Sequence, residues 1–534
     1  MSVTTATLTD PIAIVNEQES SNPITLQRLN DTPSTHATSS PSPTCPSGLH
    51  LLLIFVSLIL ALLLGGLDAN ILAPAIPHIT DSFHTTANVG WYASSYRFAA
   101  CAFQLFFGKC HKSFPAKWLF ILSNVIFLLG SVLSAAAVSS GMFMLGRAVT
   151  GAGLGGSAGG LFVILLRVLP PAKRPLGMSL VGAVEGLATV VAPALGGMIT
   201  QNLSWRWCFW INIPICSASI LVLIFLLPLL PPSDHQPSRA WIETFHELDV
   251  LSTLILIPSL VSLFIALNWA GVTYAWHNPR IVVLFVIFGV LLAAFVWTQI
   301  WRGNEATIPI RVLRERDVVT AAWFGFCVAS ALNVVEYYLP TYFQIVQGWT
   351  PTHSGWMMLP LIIATIIGTL IQGSGTTLLG YYTPFMLLTS LLLPIATGVL
   401  TTCSSPTTSL SKLIVYPIFI GLGAGLGFLG PQHTVQTALP NSDAPLGLSL
   451  VLFAQNFGPA VFISVAQAVF TNRLSVNIPA HEGAVVRVEN LGLNQLSIFD
   501  TAELDVAITA SGKSVAQTWY LAAGLGECLL WDQR

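Results

Sequence analysis

The 534-residue sequence predicts an all-α polytopic membrane protein with about fourteen transmembrane helices. Three observations predict it. Hydrophobic residues make up 54% of the chain and charged residues only 8%, against roughly 25% charged in a soluble domain. Mean hydropathy is +0.73. Apolar runs of about 20 residues, enough to cross the hydrocarbon core at 1.5 Å rise per residue, recur along the chain. In lipid, runs of that length satisfy their backbone only as helices.

Residues 1–48 are rich in Ser, Thr and Pro and carry no basic stretch ahead of an early apolar run. That composition predicts a disordered cytosolic tail with no cleaved signal. A first six-helix bundle is expected over 49–230, with spans near 50–77, 88–108, 117–138, 141–168, 176–199 and 207–230. A polar cytosolic loop at 231–248 leads to an extra pair of spans within 249–301, near 249–270 and 281–301. Residues 302–534 hold the second bundle, with spans near 318–346, 354–372, 383–402, 413–432, 446–471 and 514–531. A long polar loop at 472–513 precedes the last span, which is short and ends polar.

Orientation follows from Lys and Arg. With the N-terminus in the cytosol, the inner loops of the first eight spans carry Lys109, Lys112, Lys117, Arg167, Lys173, Arg174, Arg239, Arg302, Arg311, Arg314 and Arg316. The opposite loops carry only Arg206 and Arg280, so the positive-inside rule sets the N-terminus inside and the 472–513 loop outside.

Several functions are excluded at this stage. A net charge of −2 offers no footprint for nucleic acid. The eight cysteines form no CxxC pair, so neither a metal site nor a disulfide framework is indicated. No catalytic cluster and no Gly-Lys-Ser/Thr phosphate loop occurs. The chain is expected to be no enzyme, to need no cofactor, and to draw energy from an ion gradient.

Charges inside membrane helices each ask for a reason. Five stand out: Asp68, Arg97, Arg147, Glu185 and Glu336. Counted from the outer helix ends, Asp68 lies roughly 12 Å down, Arg147 about 10 Å, Arg97 about 14 Å and Glu336 about 15 Å. Glu185 is expected deeper, nearer the cytosol. Arg97 shares a helix face with Ser94, Cys101, Gln104 and Gly108, and Glu336 with Asn333, Pro340, Gln344 and Gln347. Polar faces of this kind turn toward protein or water. A carboxylate that trades a proton for an Arg partner makes a workable proton-coupling element, and a structural ion pair is the alternative for the same residues. Small residues recur at four-residue spacing: Gly151, Gly155 and Gly159, then Gly182 and Gly186, then Gly421 and Gly425, and Gly423 and Gly427. Such spacing lets helix backbones approach closely.

These residues sit in strings that resemble a known family. LDANILAPAIP (Leu67–Pro77) resembles the first-helix motif LDxTIVxxAxP of fourteen-span drug:proton antiporters of the major facilitator superfamily. LGRAVTGAGLGG (Leu145–Gly156) is similar to LxxGRxxxGxGxG of the fourth helix, and GAVEGLATVVAPALGG (Gly182–Gly197) to the antiporter motif GxxxGPxxGG of the fifth. SWRWCFWINIP (Ser204–Pro214) resembles a string of the fungal multidrug and mycotoxin efflux members. Departures are Asn70 for the usual Thr, Ala192 for the Gly before Pro193, and a loop GKCHKSFPAKW without the superfamily's Asp-Arg core.

The resemblance implies two six-helix bundles plus a central pair, and proton coupling through Asp68 and Arg147, with Glu336, Glu185 and Arg97 as further candidates. It implies a conformational motif at Gly151, Gly155, Gly182, Gly186, Pro193, Gly196 and Gly197. The expected activity is proton-coupled export of small organic compounds such as toxins, secondary metabolites or drugs. Trp91, Tyr337, Tyr342 and Gln432 are the expected substrate contacts. The partners are then a small molecule, protons and the lipid bilayer, with a monomer in the plasma membrane, or alternatively a vacuolar or other internal membrane. An importer of the same fold for siderophores or sugars, and a non-transporting or inactive paralogue, are the alternatives.

Overall fold

The computed structural model describes residues 48–85, 89–229, 248–271, 274–477 and 501–531. The expected tail at 1–48 and cytosolic loop at 231–248 lie almost wholly outside the described residues, as does the middle of the expected outer loop.

Among the described residues, fourteen long helices dominate. They are α1 (Leu49–Asn70), α2 (Val89–Ser113), α3 (Ala116–Ala135), α4 (Ser140–Val168), α5 (Arg174–Asn202), α6 (Asn212–Leu226), α7 (Val250–Trp269) and α8 (Pro279–Arg302). Then come α9 (Arg316–Ile345), α10 (Leu359–Leu379), α11 (Thr383–Leu400), α12 (Leu410–Gly427), α13 (Ala444–Asn477) and α14 (Thr501–Trp531). Short helices at Ile76–Phe83, Trp207–Trp210, Ile310–Arg314, Pro351–Trp356 and Gly430–Ala438 begin or extend them. No named strand occurs among the described residues.

Among the described residues, twelve helical stretches are long and apolar enough to cross a membrane. Helices α2 and α14 do not meet that measure of apolarity, yet at 1.5 Å per residue they reach roughly 37 Å and 46 Å.

The last helix runs longer than the expected last span. Helix α13 runs on to Asn477 and α14 starts at Thr501, so the expected loop at 472–513 shortens at both ends and the last helix is long. Asn477 Nδ2 at the end of α13 donates to Ser514 Oγ within α14 at 3.0 Å. Trp519 of α14 is fully buried and packs on Tyr342 of α9, with ring centroids 5.5 Å apart.

Helices α1–α6 pack among themselves as a first half, and α9–α14 as a second. Helix α4 lies between α2 and α3, and α12 between α10 and α11. The halves meet where α5 packs on α10 and α2 packs on α13. Helix α7 touches α2 and α13, and α8 lies beyond it, its outward residues such as Val286, Val290 and Trp297 exposed. In a lipid solvent that exposure is the expected state of a peripheral helix.

Candidate functional site

The inner face is taken as the one at which α1 starts. Deep in the first half, Arg147 of α4 and Asp68 of α1 form an ion pair through Nη1 and Oδ2. Arg147 is fully buried and Asp68 is 1% exposed. Every polar atom of the pair is engaged. Nη2 of Arg147 donates to the Asp68 carbonyl at 3.2 Å, and Nε donates to the Tyr92 carbonyl at 3.2 Å. Asn212 of α6 donates to the other carboxylate oxygen at 3.0 Å and to Ser131 Oγ at 3.2 Å. The guanidinium lies over the Tyr96 ring at 4.4 Å and near Phe209 at 5.6 Å. A buried pair persists only when its remaining hydrogen-bonding capacity is met in this way.

Sequence reading missed Asn212 and Tyr96. Asn212 is a lone amide in the apolar run Ile211–Ile213, so a signal existed. Tyr96 carried none, because only tertiary packing lays its ring under Arg147.

The other three charges form a separate group. Arg97 of α2 and Glu185 of α5 are exposed and Glu336 of α9 is half-buried. Arg97 lies within electrostatic reach of both acids, and the acids within reach of each other. Among the described residues, their side chains make no hydrogen bond or ion pair. Two halves thus contribute to one accessible centre. The expected common level therefore resolves into a sealed pair and an open trio. A methyl group at Gly66 would sit 3.9 Å from the Glu185 carbonyl, which puts Glu185 about half a turn below Asp68.

The glycines hold helices at backbone distance. A methyl at Gly151 would overlap the Tyr96 carbonyl, and one at Gly155 would lie 2.6 Å from the Ala100 carbonyl, so α4 rests on α2. Gly182 and Gly186 of α5 face the second half, where a methyl would lie 3.0 Å from Thr369 and 2.8 Å from Ile366. Gly196 closes on Ile71 and Pro74, and Gly197 on Pro74.

The inner face is shut by charge as well as packing. Asp443, just before α13, accepts from Lys112 of α2 and from Arg311, each at 2.9 Å. Lys109 donates to the Glu305 and Ala306 carbonyls at 3.0 Å. The loop that lacks the superfamily's Asp-Arg core thus finds its carboxylate on the second half. Burial raises the Asp443 carboxyl, but the hydrogen bonds and charges of Lys112 and Arg311 outweigh it and hold the group below its usual range.

The four expected substrate contacts are not in one place. Tyr337, beside Glu336, is 52% exposed. Trp91 is half-buried, edge-on to Phe98 at 6.3 Å. Tyr342 is fully buried, with its hydroxyl donating to the Ser405 carbonyl at 2.9 Å, so it serves packing under α14. Gln432 is 1% exposed and donates to Gln455 at 2.7 Å. A surface pocket of about 470 Å³ lined by His78, Asp81, Thr200, Trp205 and Arg206 contains none of the five intramembrane charges.

A family model described as Major Facilitator Superfamily matches residues 58–463. The MFS-type efflux pump MFS1 of Arthroderma benhamiae is 39% identical over 485 residues, covering 90% of each chain. The efflux pump aflT of Aspergillus parasiticus is 40% identical over 432 residues, 81% of this chain and 84% of that one. Among solved structures, the proton:xylose symporter XylE superposes with a TM-score of 0.56 at 13% identity, covering 89% of this chain and 94% of that one. The human organic anion transporter MFSD10 does so with a TM-score of 0.55 at 14% identity, covering 89% and 99%. These structural likenesses bear on the fold alone.

Proposed function

The chain belongs to the Major Facilitator Superfamily, and on that premise we propose that this multi-pass membrane transporter is a proton-coupled exporter of small organic compounds. The observation that carries the reading is the accessible trio Arg97, Glu185 and Glu336, contributed by both halves above an inner face that is shut. An unpaired carboxylate within reach of an arginine changes its interaction with that arginine when it gains or loses a proton. Because the partners stand on separate halves, that change bears on whether the halves part or close. The Asp68–Arg147 pair is buried and engaged at each of its polar atoms, so it acts as the element that senses the trio. Tyr96 is the link: its ring carries Arg147, its hydroxyl donates to the Gly65 carbonyl at 2.7 Å, and Arg97 follows it in the chain. Fungal relatives named as efflux pumps support the outward direction.

The test is accumulation of a labelled organic probe in cells deleted for their own pumps. Wild type should lower accumulation, and a protonophore should abolish the effect. Glu336→Gln, Glu185→Gln and Asp68→Asn should each abolish it too while reaching the membrane intact. Protonophore-insensitive export, or full export by all three variants, overturns proton coupling through these residues.

A further inference from the structure

The extra helix pair α7–α8 starts at the inner face with Asp249, the residue before α7. Its backbone has φ 47°, in the left-handed region that a residue other than Gly occupies only when its surroundings hold it there. The side chain is fully buried, and a buried carboxylate persists only when its lone pairs are met. Oδ1 accepts from the Ser252 amide and pairs with Arg302 at the end of α8, each at 3.3 Å. Oδ2 accepts from Gln299 of α8 at 3.2 Å, and from both the amide and the hydroxyl of Thr307 at 2.9 Å. One carboxylate thus joins the start of α7, the end of α8 and the linker that leads from α8 toward α9.

That linker has little regular structure of its own, a single 3-10 turn at Gly303–Glu305, so its backbone groups need partners from elsewhere. Gln299 Oε1 accepts from the Ile308 amide at 2.9 Å, and the Ile308 side chain packs on the apolar cluster of Phe98, Leu256, Leu260 and Phe295. With the Thr307 and Ile308 amides bonded to Asp249 and Gln299, the linker offers the Glu305 and Ala306 carbonyls to α2. Lys109 Nζ donates to both at 3.0 Å. Ala306 is fully buried and Lys109 nearly so.

Lys109 and Lys112 stand three apart on one face of α2, and each reaches a different partner. Lys112 meets the Asp443 carboxylate of the second half. Lys109 meets neutral carbonyls on the linker, which continues through the short helix Ile310–Arg314 into α9. Parting α2 from the second half at the inner face must break both contacts. We infer that the linker is a second latch on the inner face and that Asp249 is its positioning residue, fixing the carbonyls that Lys109 holds. The extra helix pair is then a working part of the inner gate and not a spacer between the halves. The inference needs only that the inner face opens, so it stands apart from proton coupling and from the direction of transport.

The experiment uses the full chain in inside-out membrane vesicles with Ser449→Cys as reporter, since the Ser449 hydroxyl lies against Gly108 near the inner end of α2. Labelling of each cysteine by N-ethylmaleimide is read by peptide mass spectrometry. Lys109→Met should raise the reporter's labelling rate about tenfold, the loss of one charge-assisted hydrogen bond, and Lys109→Arg, which keeps the donors, should stay near wild type. Asp249→Asn should give a similar rise. Thr307→Val, which keeps the amide and loses the hydroxyl, should give about threefold. Lys109→Met combined with Asp249→Asn should exceed the larger single effect by no more than about twofold, because both act on one latch. Lys109→Met combined with Asp443→Asn should multiply to roughly a hundredfold, because two latches then part. The native Cys208 and Cys403, buried toward the outer face, should label no faster in any variant, whereas a general loosening of the fold would expose them as well. Wild-type labelling in Lys109→Met or Asp249→Asn overturns the inference. So does a multiplied effect of those two, an effect with Asp443→Asn that does not multiply, or a parallel rise at Cys208 and Cys403. Where Asp249→Asn fails to reach the membrane, Thr307→Val with Lys109→Met decides the same coupling.

Discussion

The Tyr96 ring lies beneath the Arg147 guanidinium, 4.4 Å from centroid to Cζ, while Arg97, next in the chain, is exposed. One helical turn of α2 therefore touches both the sealed pair and the open centre. Tyr96→Phe should cost about 1 kcal/mol, the loss of one hydrogen bond to Gly65, and should keep export. Tyr96→Ala removes the ring and should cost about 3–5 kcal/mol with export lost. Thermal unfolding in detergent alongside probe accumulation reads both. Equal behaviour of the two variants would deny the ring any role.

Arg147→Ala strands the Asp68 carboxylate, which is 1% exposed. Breaking a buried pair from one side costs about 3–5 kcal/mol, whereas replacing both partners by apolar residues is often neutral. The double variant Asp68→Leu with Arg147→Leu should therefore regain most of the lost thermal stability and still fail to export. Recovery of export would reduce the pair to a purely structural element.

The Lys112–Asp443–Arg311 cluster should hold the inner face shut across the physiological range. Its carboxyl is held below the ordinary value, so its contribution is fully present above the ordinary carboxylate range. The contribution is lost only as pH falls through the depressed folded value. Asp443→Asn removes two charge-assisted hydrogen bonds of about 1.5–3 kcal/mol each. Labelling of Ser449→Cys, whose native hydroxyl lies against Gly108 at this face, should rise in that variant and show no change between pH 6 and pH 8 in wild type. A wild-type increase within that window would place the lock elsewhere.

Side chains at the α4–α2 contact should jam it. A methyl at Gly151 already overlaps the Tyr96 carbonyl, so Gly151→Val forces a backbone shift costing about 1–3 kcal/mol or more. Gly141, with nothing within 4 Å of an added methyl, should accept Ala with no more than the usual surface effect of about 0.5 kcal/mol. Monodisperse elution and melting temperature compare the two. Equal tolerance would show that α4 and α2 are less closely held than the glycines imply.

By itself, the sequence determined that the chain is helical and crosses a membrane. Twenty apolar residues in a row leave the backbone no other way to bond in lipid, and no partner helix is needed to reach that conclusion. It also picked out the five intramembrane charges, because each is conspicuous against an apolar background. The packing role of Gly151, Gly155, Gly182 and Gly186 was legible in their spacing. Helix α14 was read as short because its first turns, from Thr501 to Lys513, are polar; α9, α11 and α13 pack against it, which the local sequence does not record. Depth counting placed Asp68, Arg97, Arg147 and Glu336 on one level, but height along a helix says nothing of azimuth. Azimuth turns Arg147 inward onto Asp68 and Tyr96, and leaves Arg97 within electrostatic reach of Glu185 and Glu336. The carboxylate for Lys112 lies 331 positions along the chain at Asp443, a pairing that only the tertiary structure could decide, since it depends on how two halves meet.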